Sequence, residues 1–101
     1  MGLELTKQPD TYLHLGRVVA TPGAVELVQD TKTDPAQLLL RHASGDWGEL
    51  CDEDRAANRA ALRHGLRVMS VYHLQGSSAQ VVWIITEGDR SVTTLLLPED
   101  Y

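Results

Sequence analysis

Five carboxylates fall within nine residues near the middle of the chain, in the segment RHASGDWGELCDEDRAANRAAL. They are Asp46, Glu49, Asp52, Glu53 and Asp54. Such a group could bind a metal ion, supply an acid–base pair or present a negative patch to a basic partner. The spacing lacks the alternating ligands of a calcium loop, so we predict no metal site. The last three acids instead suit the first turn of a helix, where they complement the helix dipole.

The motif GDWG, which contains Asp46 and Trp47, lies just before this predicted helix. Its two glycines predict a tight turn that buries the indole and leaves the Asp46 carboxylate to accept hydrogen bonds from the loop backbone. The motif is therefore predicted to form a joint between two helices. Contact with a bound molecule is the alternative, so Asp46 and Trp47 are candidate binding residues.

The histidines and the cysteine show no spacing typical of metal ligands. They are His14, His42, His64, His73 and Cys51. We therefore predict no zinc site and no cofactor. His42 lies near the end of a predicted helix, where it could act as a general base if that helix folds back over a sheet. A single cysteine cannot form an internal disulfide, which favours a reducing cytoplasm.

These residues must be positioned by an α+β domain. The chain has 101 residues, enough for one domain. We predict a polar tail over 1–10 and a single domain over 11–101, which begins with a strand or extended arm over 11–20. The dipeptide at Thr21-Pro22 combines a capping side chain with proline at the first helical position, so it predicts a helix over 22–29.

Two further helices are predicted from capping residues of the same kind. Asp34 stands before a proline and predicts the start of a second helix, which Ser44 and a following glycine end. Asp52 begins a third predicted helix, and Gly65 lies where a C-terminal cap belongs. After Gly65 the apolar period becomes two, which is typical of strands.

Three strands are predicted over 66–74, 79–87 and 91–97, and together they form an antiparallel meander. Trp83 is expected to face the helices. The other residues predicted to form the core are Val25, Leu38, Leu39, Ala57, Ala61, Val68 and Ile85.

A specific register follows if Gly88 and Asp89 form a two-residue turn. That register places one arginine and three hydroxyls on the sheet face opposite the helices: Arg67, Thr86, Ser91 and Thr93. An arginine fork surrounded by hydroxyls is suited to an anion or a phosphodiester, and a solvated sheet edge is the simpler alternative. The same register pairs Glu87 with Arg90, so both are candidate binding residues or a cross-strand ion pair.

The charge and the composition limit the possible partners. The net charge is −5, with 14 acidic against 9 basic residues, which argues against tight binding to nucleic acid. The apolar and charged fractions, 43% and 23%, are ordinary for a soluble domain, and no apolar stretch is long enough for a membrane span. We expect a cytoplasmic protein with a protein partner, and a homodimer is possible.

Three segments in this order, VVATPGA, RHASGDWGEL and ITEGDRSVTTLLLPEDY, resemble a family of small uncharacterised bacterial proteins associated with plasmids, integrative elements and phages. The resemblance covers residues 17–101 and implies no defined activity. The residues that it assigns to a shared motif are Asp46, Trp47, Gly48, Thr86, Glu87, Asp89, Arg90 and Thr94.

The predicted order of helices and strands is also similar to that of bacterial ribonuclease toxins. That likeness implies possible catalytic roles for His42, Arg67, Thr86, Arg90 and Thr93, although the net acidity departs from the pattern. Three functions are therefore considered: a non-catalytic accessory protein acting through a protein partner, which we favour, a ribonuclease-like protein, and an acidic inhibitor that imitates DNA.

Overall fold

The computed structural model describes residues 13–101, so the predicted polar tail over 1–10 lies outside the described residues. The elements follow in the order β1 (Arg17–Ala20), α1 (Pro22–Asp30), α2 (Pro35–Ala43), α3 (Asp52–His64), β2 (Val68–His73), β3 (Val81–Thr86) and β4 (Val92–Leu96). Short 3₁₀ turns occur at Leu74–Gly76 and Pro98–Asp100. The predicted α+β class is confirmed. No helix in the described part of the chain has the length and apolarity needed to cross a membrane.

The helices begin and end where their capping residues lie. The Thr21 hydroxyl accepts a hydrogen bond from the backbone of α1, and the Asp34 carboxylate does the same for α2. The N-cap of α3 is Cys51, whose side chain makes no capping bond, and the three acids fill the first turn. Gly65 ends α3 in the left-handed conformation, with φ 67°.

The sheet has four strands in the order β1-β4-β3-β2. β2, β3 and β4 form the predicted antiparallel meander, and β1 adds to it in parallel with β4. A parallel neighbour needs a long crossover connection, which all three helices and two strands provide here. Of the strand or arm predicted over 11–20, Arg17–Ala20 forms an edge strand of a mixed sheet, 13–16 is not strand, and 11–12 lies outside the described residues.

The predicted register of both hairpins is wrong. Thr86 pairs with Thr93 instead of Ser91, because the β3–β4 turn comprises residues 88–91 and not two residues. Between β2 and β3, Val68 pairs with Thr86, one residue away from the predicted alignment. A slip of one residue exchanges the two faces of a strand, so β3 and β4 turn the opposite face to the helices.

The core lies between the helices and one face of the sheet, and it consists of two apolar clusters. Their buried members are Ala24, Val28, Leu38, Tyr72, Leu74, Val82, Ile84 and Leu95 in the first, and Leu13, Ala43, Trp47, Ala61 and Val68 in the second. The prediction that Val25 and Ala57 belong to the core is wrong, because both side chains are exposed on their helices.

Trp83 does not face the helices. Its neighbours in β3, Val82 and Ile84, are fully buried on the helix side, so Trp83 lies on the outer face together with Ile85. Trp83 is half-buried there, with its ring 5.6 Å from that of Tyr101 in an edge-to-face arrangement. Tyr101 follows the last 3₁₀ turn, which folds back along β3.

Candidate functional site

The predicted anion site does not form. Thr86 and Thr93 have no exposed surface and lie on the helix side of the sheet, because of the register described above. Arg67 is exposed, donates a hydrogen bond of 2.7 Å to the Tyr101 hydroxyl, and lies 3.5 Å from a carboxylate oxygen of Glu87. The arginine and the two threonines are therefore separated.

Ser91, the remaining member, belongs to the β3–β4 turn. Its hydroxyl and its backbone N–H both donate to the carboxylate of Asp89, at 2.6 and 3.0 Å. These hydrogen bonds lower the pKa of Asp89. Ser91 thus organises its own turn and contributes nothing to a shared site with Arg67.

Arg90 is used as a structural cap and does not pair with the Glu87 carboxylate. Its guanidinium donates to three backbone carbonyls, those of Leu66 at 2.6 Å, Ala61 at 3.0 Å and Glu87 at 3.2 Å. Ala61 lies in the last turn of α3, and its carbonyl also accepts from the backbone N–H groups of Gly65 and Leu66. Arg90 therefore ties the end of α3 to the β3–β4 turn.

Replacing Arg90 by methionine keeps most of the apolar stem and removes the three hydrogen bonds. We expect the free energy of unfolding to fall by about 1 to 2 kcal/mol, since these are charge-assisted bonds on a partly exposed group. Urea unfolding followed by circular dichroism measures the loss. The variant Arg63→Met removes an arginine from an exposed position of α3 and should change stability by less than about 0.5 kcal/mol. Equal stability of the two variants would contradict the capping role.

His42 lies at the centre of a buried hydrogen-bond network. The side chain has no exposed surface. Its Nδ1 atom is 2.6 Å from the Ser70 hydroxyl and its Nε2 atom is 2.9 Å from the Thr86 hydroxyl. The Thr86 hydroxyl in turn lies 2.7 Å from that of Thr93. One polar chain thus joins α2 to three strands of the sheet.

The direction of these hydrogen bonds follows from the far end of the network. The Thr93 hydroxyl donates to the Leu15 carbonyl at 2.7 Å, so it accepts from Thr86. Thr86 then accepts from the His42 Nε2–H group, which leaves Nδ1 as the acceptor for the Ser70 hydroxyl. Every member is satisfied by a neutral imidazole.

Burial lowers the pKa of His42 to about 4. The ring is therefore neutral near pH 7, but both nitrogen atoms are occupied and no surface is open to a substrate. A general base must reach the proton that it removes, which this arrangement prevents. The sequence nominated His42 and missed Ser70, although its place between two inward-facing residues of β2 was a signal for a buried polar partner.

The GDWG motif forms the predicted joint. Trp47 is 5% exposed and packs in the second core cluster with Ala43, Ala61 and Val68. It follows the end of α2 and precedes α3, so the indole anchors both helices on the sheet. A pocket of about 350 Å³ adjoins the indole, lined also by Ser44, Gly45, Arg59 and Leu62, so the role of Trp47 in binding stays a prediction.

Asp46 is held by internal contacts. Its carboxylate pairs with the Arg41 guanidinium through hydrogen bonds of 2.7 and 3.1 Å, and this partner holds the pKa of Asp46 below its usual range. The backbone of Gly48 contributes to lowering the pKa of Asp46 as well. The Tyr72 hydroxyl donates to the Asp46 carbonyl at 2.7 Å, and burial raises the pKa of Tyr72 to about 12. Within residues 13–101, no three acids, histidines or cysteines are grouped to hold a metal ion.

The two edges of the sheet differ in their hydrogen bonding. At the β2 edge, the Asn58 amide both donates to and accepts from the backbone of Met69, at 2.8 and 3.2 Å. The backbone of Val71 accepts from Glu49 at 2.7 Å and donates to Trp47 at 3.0 Å. The Asn58 side chain and the backbone of Trp47 and Glu49 therefore occupy the hydrogen-bonding groups of this edge.

The β1 edge is open within residues 13–101, since no further strand pairs with β1 there. The N–H groups of Arg17 and Thr21 donate to carbonyls on the β4 side at 3.0 Å each, so alternate residues of β1 point toward β4. The N–H and C=O groups of Val18 and Ala20 consequently point away from the sheet. Within residues 13–101, the backbone hydrogen bonds of turns, loops and caps include none from these four groups.

An apolar groove with a volume of about 580 Å³ lies beside this open edge, between β1, α1 and α2. Its lining comprises Val18, Val19, Ala20, Ala24, Val25, Val28, Gln29, Thr33, Pro35, Ala36, Leu39 and Leu95. Two of these side chains are polar and none is charged. Val18 and Val25 are 44% and 40% exposed, which is high for large apolar residues. The groove could not be predicted from the sequence, because it depends on the pairing of β1 with β4.

No protein-family model, curated protein or solved structure matches this chain. The open edge and the groove are therefore interpreted from their own geometry. The other features described above make their hydrogen bonds and apolar contacts inside the protein. The open edge and the groove instead present such groups on the surface.

Proposed function

We propose that the chain is a non-catalytic accessory protein of a bacterial mobile genetic element and that it acts by binding another protein. The association with a mobile element is what the resemblance of the three sequence segments implies. The mode of action is supported by one observation, the uncharged groove beside the open edge of β1. Exposed apolar surface of this kind is typical of sites that bind apolar side chains of a partner.

A non-catalytic role is further supported by the contacts of the candidate catalytic residues. His42 and Thr86 are enclosed in the core network, and the Arg90 guanidinium donates to backbone carbonyl groups. Arg67 is exposed but contacts Glu87 and Tyr101 on the other face of the sheet. A ribonuclease would need a base and a phosphate-binding group close together, and these residues do not meet.

The substitution Val25→Asp tests the proposal. Val25 lines the groove and is 40% exposed, so an aspartate should place a charge in the groove and change stability by less than about 1 kcal/mol. We expect the wild-type protein, used as bait in a lysate of the bacterium that encodes it, to retain a partner that the variant loses at least about tenfold. Quantitative mass spectrometry of the retained proteins measures this ratio.

Leu66→Asp is the matched control, since Leu66 is also an exposed apolar residue, 56% exposed, and does not line the groove. It should retain the same partner as the wild type. Identical protein sets from wild type and Val25→Asp would contradict a role for the groove. Cleavage of labelled RNA by the wild-type protein, lost in Arg67→Ala, would favour the ribonuclease alternative instead.

A further inference from the structure

The open edge of β1 is complementary to an extended backbone. Val18 and Ala20 present two donors and two acceptors, alternating along one line. A neighbouring strand satisfies such a row because its own N–H and C=O groups alternate at the same spacing. A helix cannot, since its backbone groups are bonded within the helix. The closed β2 edge, where Asn58 occupies the equivalent groups of Met69, offers no such row.

The groove determines which side chains such a strand should carry. Val18 and Ala20 are paired with Thr93 and Leu95, which are buried on the helix side, so they lie on that same face of the sheet. A strand added beside β1 would direct every second side chain to this face, toward the groove. Because no charged residue lines the groove, these alternate side chains should be apolar.

The charges next to the groove indicate what should flank the apolar positions. In the sequence, exposed acidic residues stand directly next to lining residues at Glu26, Asp30 and Asp34, whereas Lys32 is the one cation of that stretch. A negative rim favours a partner with basic residues there. Arg17 lies at the start of β1, so this preference applies to the end of the added strand that is nearer to Ala20 and the helices.

We infer that the partner binds as an extended segment that adds a fifth strand to the sheet beside β1, with apolar side chains at alternate positions and a basic residue at the end near α1 and α2. The inference rests on the proposed function and names the form of the partner. The hydrogen bonds to Val18 and Ala20 supply the alignment, and the groove selects the side chains.

A library of random decapeptides displayed on phage provides the probe. Selection against the wild-type protein should enrich peptides with alternating apolar residues and with lysine or arginine at one end. The most enriched peptide is then synthesised, and its dissociation constant is measured by isothermal titration calorimetry. Enrichment of acid-flanked or proline-rich peptides, or no enrichment, would overturn the inference.

Two variants separate strand addition from simple occupation of the groove. Ala20→Pro removes one outward N–H group and blocks a neighbouring strand, while the bonds of Arg17 and Thr21 to the β4 side stay. It should weaken the peptide at least about tenfold. Val25→Asp should weaken it as well. If Ala20→Pro binds the peptide as tightly as wild type while Val25→Asp does not, the inference of strand addition is wrong and the proposed function stands. If both variants bind the peptide as tightly as wild type, the inference and the proposed function are both wrong.

A modified peptide removes any dependence on the folding of Ala20→Pro. Methylation of the peptide nitrogens on one edge abolishes its backbone donors there, and the wild-type protein is used unchanged. We expect methylation on one edge to reduce binding at least about tenfold and methylation on the other edge to leave binding within about twofold. Equal affinity of both methylated peptides would overturn the inference.

Discussion

Between pH 6.5 and about 4 the protein should lose about 3 kcal/mol of unfolding free energy because of a single histidine, His42. In the folded protein the ring is buried and neutral, and burial lowers its pKa from 6.5 to about 4. In the unfolded chain the same ring takes up a proton below pH 6.5. The unfolded state therefore binds more protons across this interval, and the stability rises with pH through it.

The acidic side chains with shifted pKa values act in a different interval. The pKa values of Asp46, Asp89 and Asp100 are lowered from 3.8 by hydrogen bonds to their carboxylates. A group of this kind stabilises the fold above its ordinary pKa and loses that contribution as the pH falls below it. Measurements between about pH 4.5 and 6.5 should therefore report chiefly on His42.

Urea unfolding at a series of pH values, followed by circular dichroism, measures how the free energy of unfolding changes with pH. The wild type should lose about 1.2 kcal/mol per pH unit near the middle of this interval, close to the value of about 1.4 expected for one full proton. His42→Gln keeps a donor and an acceptor and removes the titration, so its slope should be close to zero. His14→Gln, which replaces an exposed histidine, is the matched control and should keep the wild-type slope. A wild-type slope in His42→Gln would contradict the buried neutral network.

The helices could be predicted because their ends depend on neighbouring residues. Thr21 and Asp34 each precede a proline and cap the helix that follows, and Gly65 takes the left-handed conformation that ends α3. These are contacts over two to four residues, so the local sequence contains them. The burial of Trp47 could likewise be predicted from the turn around it.

The strand register could not be predicted, because a distant contact decides it. The sequence at Gly88 and Asp89 is compatible with a two-residue turn, yet Arg90 adopts φ 62° and lengthens the turn. Its guanidinium reaches Leu66 and Ala61, far away in the chain. These hydrogen bonds help hold Arg90 at a positive φ, a backbone conformation that costs free energy for a residue other than glycine. The predicted register between β3 and β4 is wrong by two residues, which leaves the same side chains on each face of the sheet. The register between β2 and β3 is wrong by one residue, which moves the side chains of β3 and β4 to the opposite face.

The candidate site was hidden for a related reason. His42 could be nominated as chemically interesting, but its partners Ser70 and Thr86 became neighbours only in the correct register. The open edge depends on β1 pairing in parallel with a strand at the other end of the chain. Val25 has the apolar character of a core residue, so periodicity alone could not show that it lines an exposed groove.

The two tryptophans provide the sharpest test of the face assignment. Replacing Trp47 by alanine should lower the free energy of unfolding by about 3 to 5 kcal/mol, because a nearly fully buried indole leaves a large cavity. The cavity would open between Ala43, Ala61 and Val68, where the joint of α2 and α3 meets the sheet. Urea unfolding followed by far-ultraviolet circular dichroism measures the change without relying on tryptophan fluorescence.

Trp83→Ala is the matched substitution on the other face of the sheet. Trp83 is half-buried and rests against Tyr101, so its removal exposes an existing surface instead of creating an enclosed cavity. We expect it to cost less than half as much as Trp47→Ala. If the two variants lost equal stability, or if Trp83→Ala lost more, Trp83 would belong to the core between helices and sheet, as the sequence alone predicted, and the register described here would be wrong.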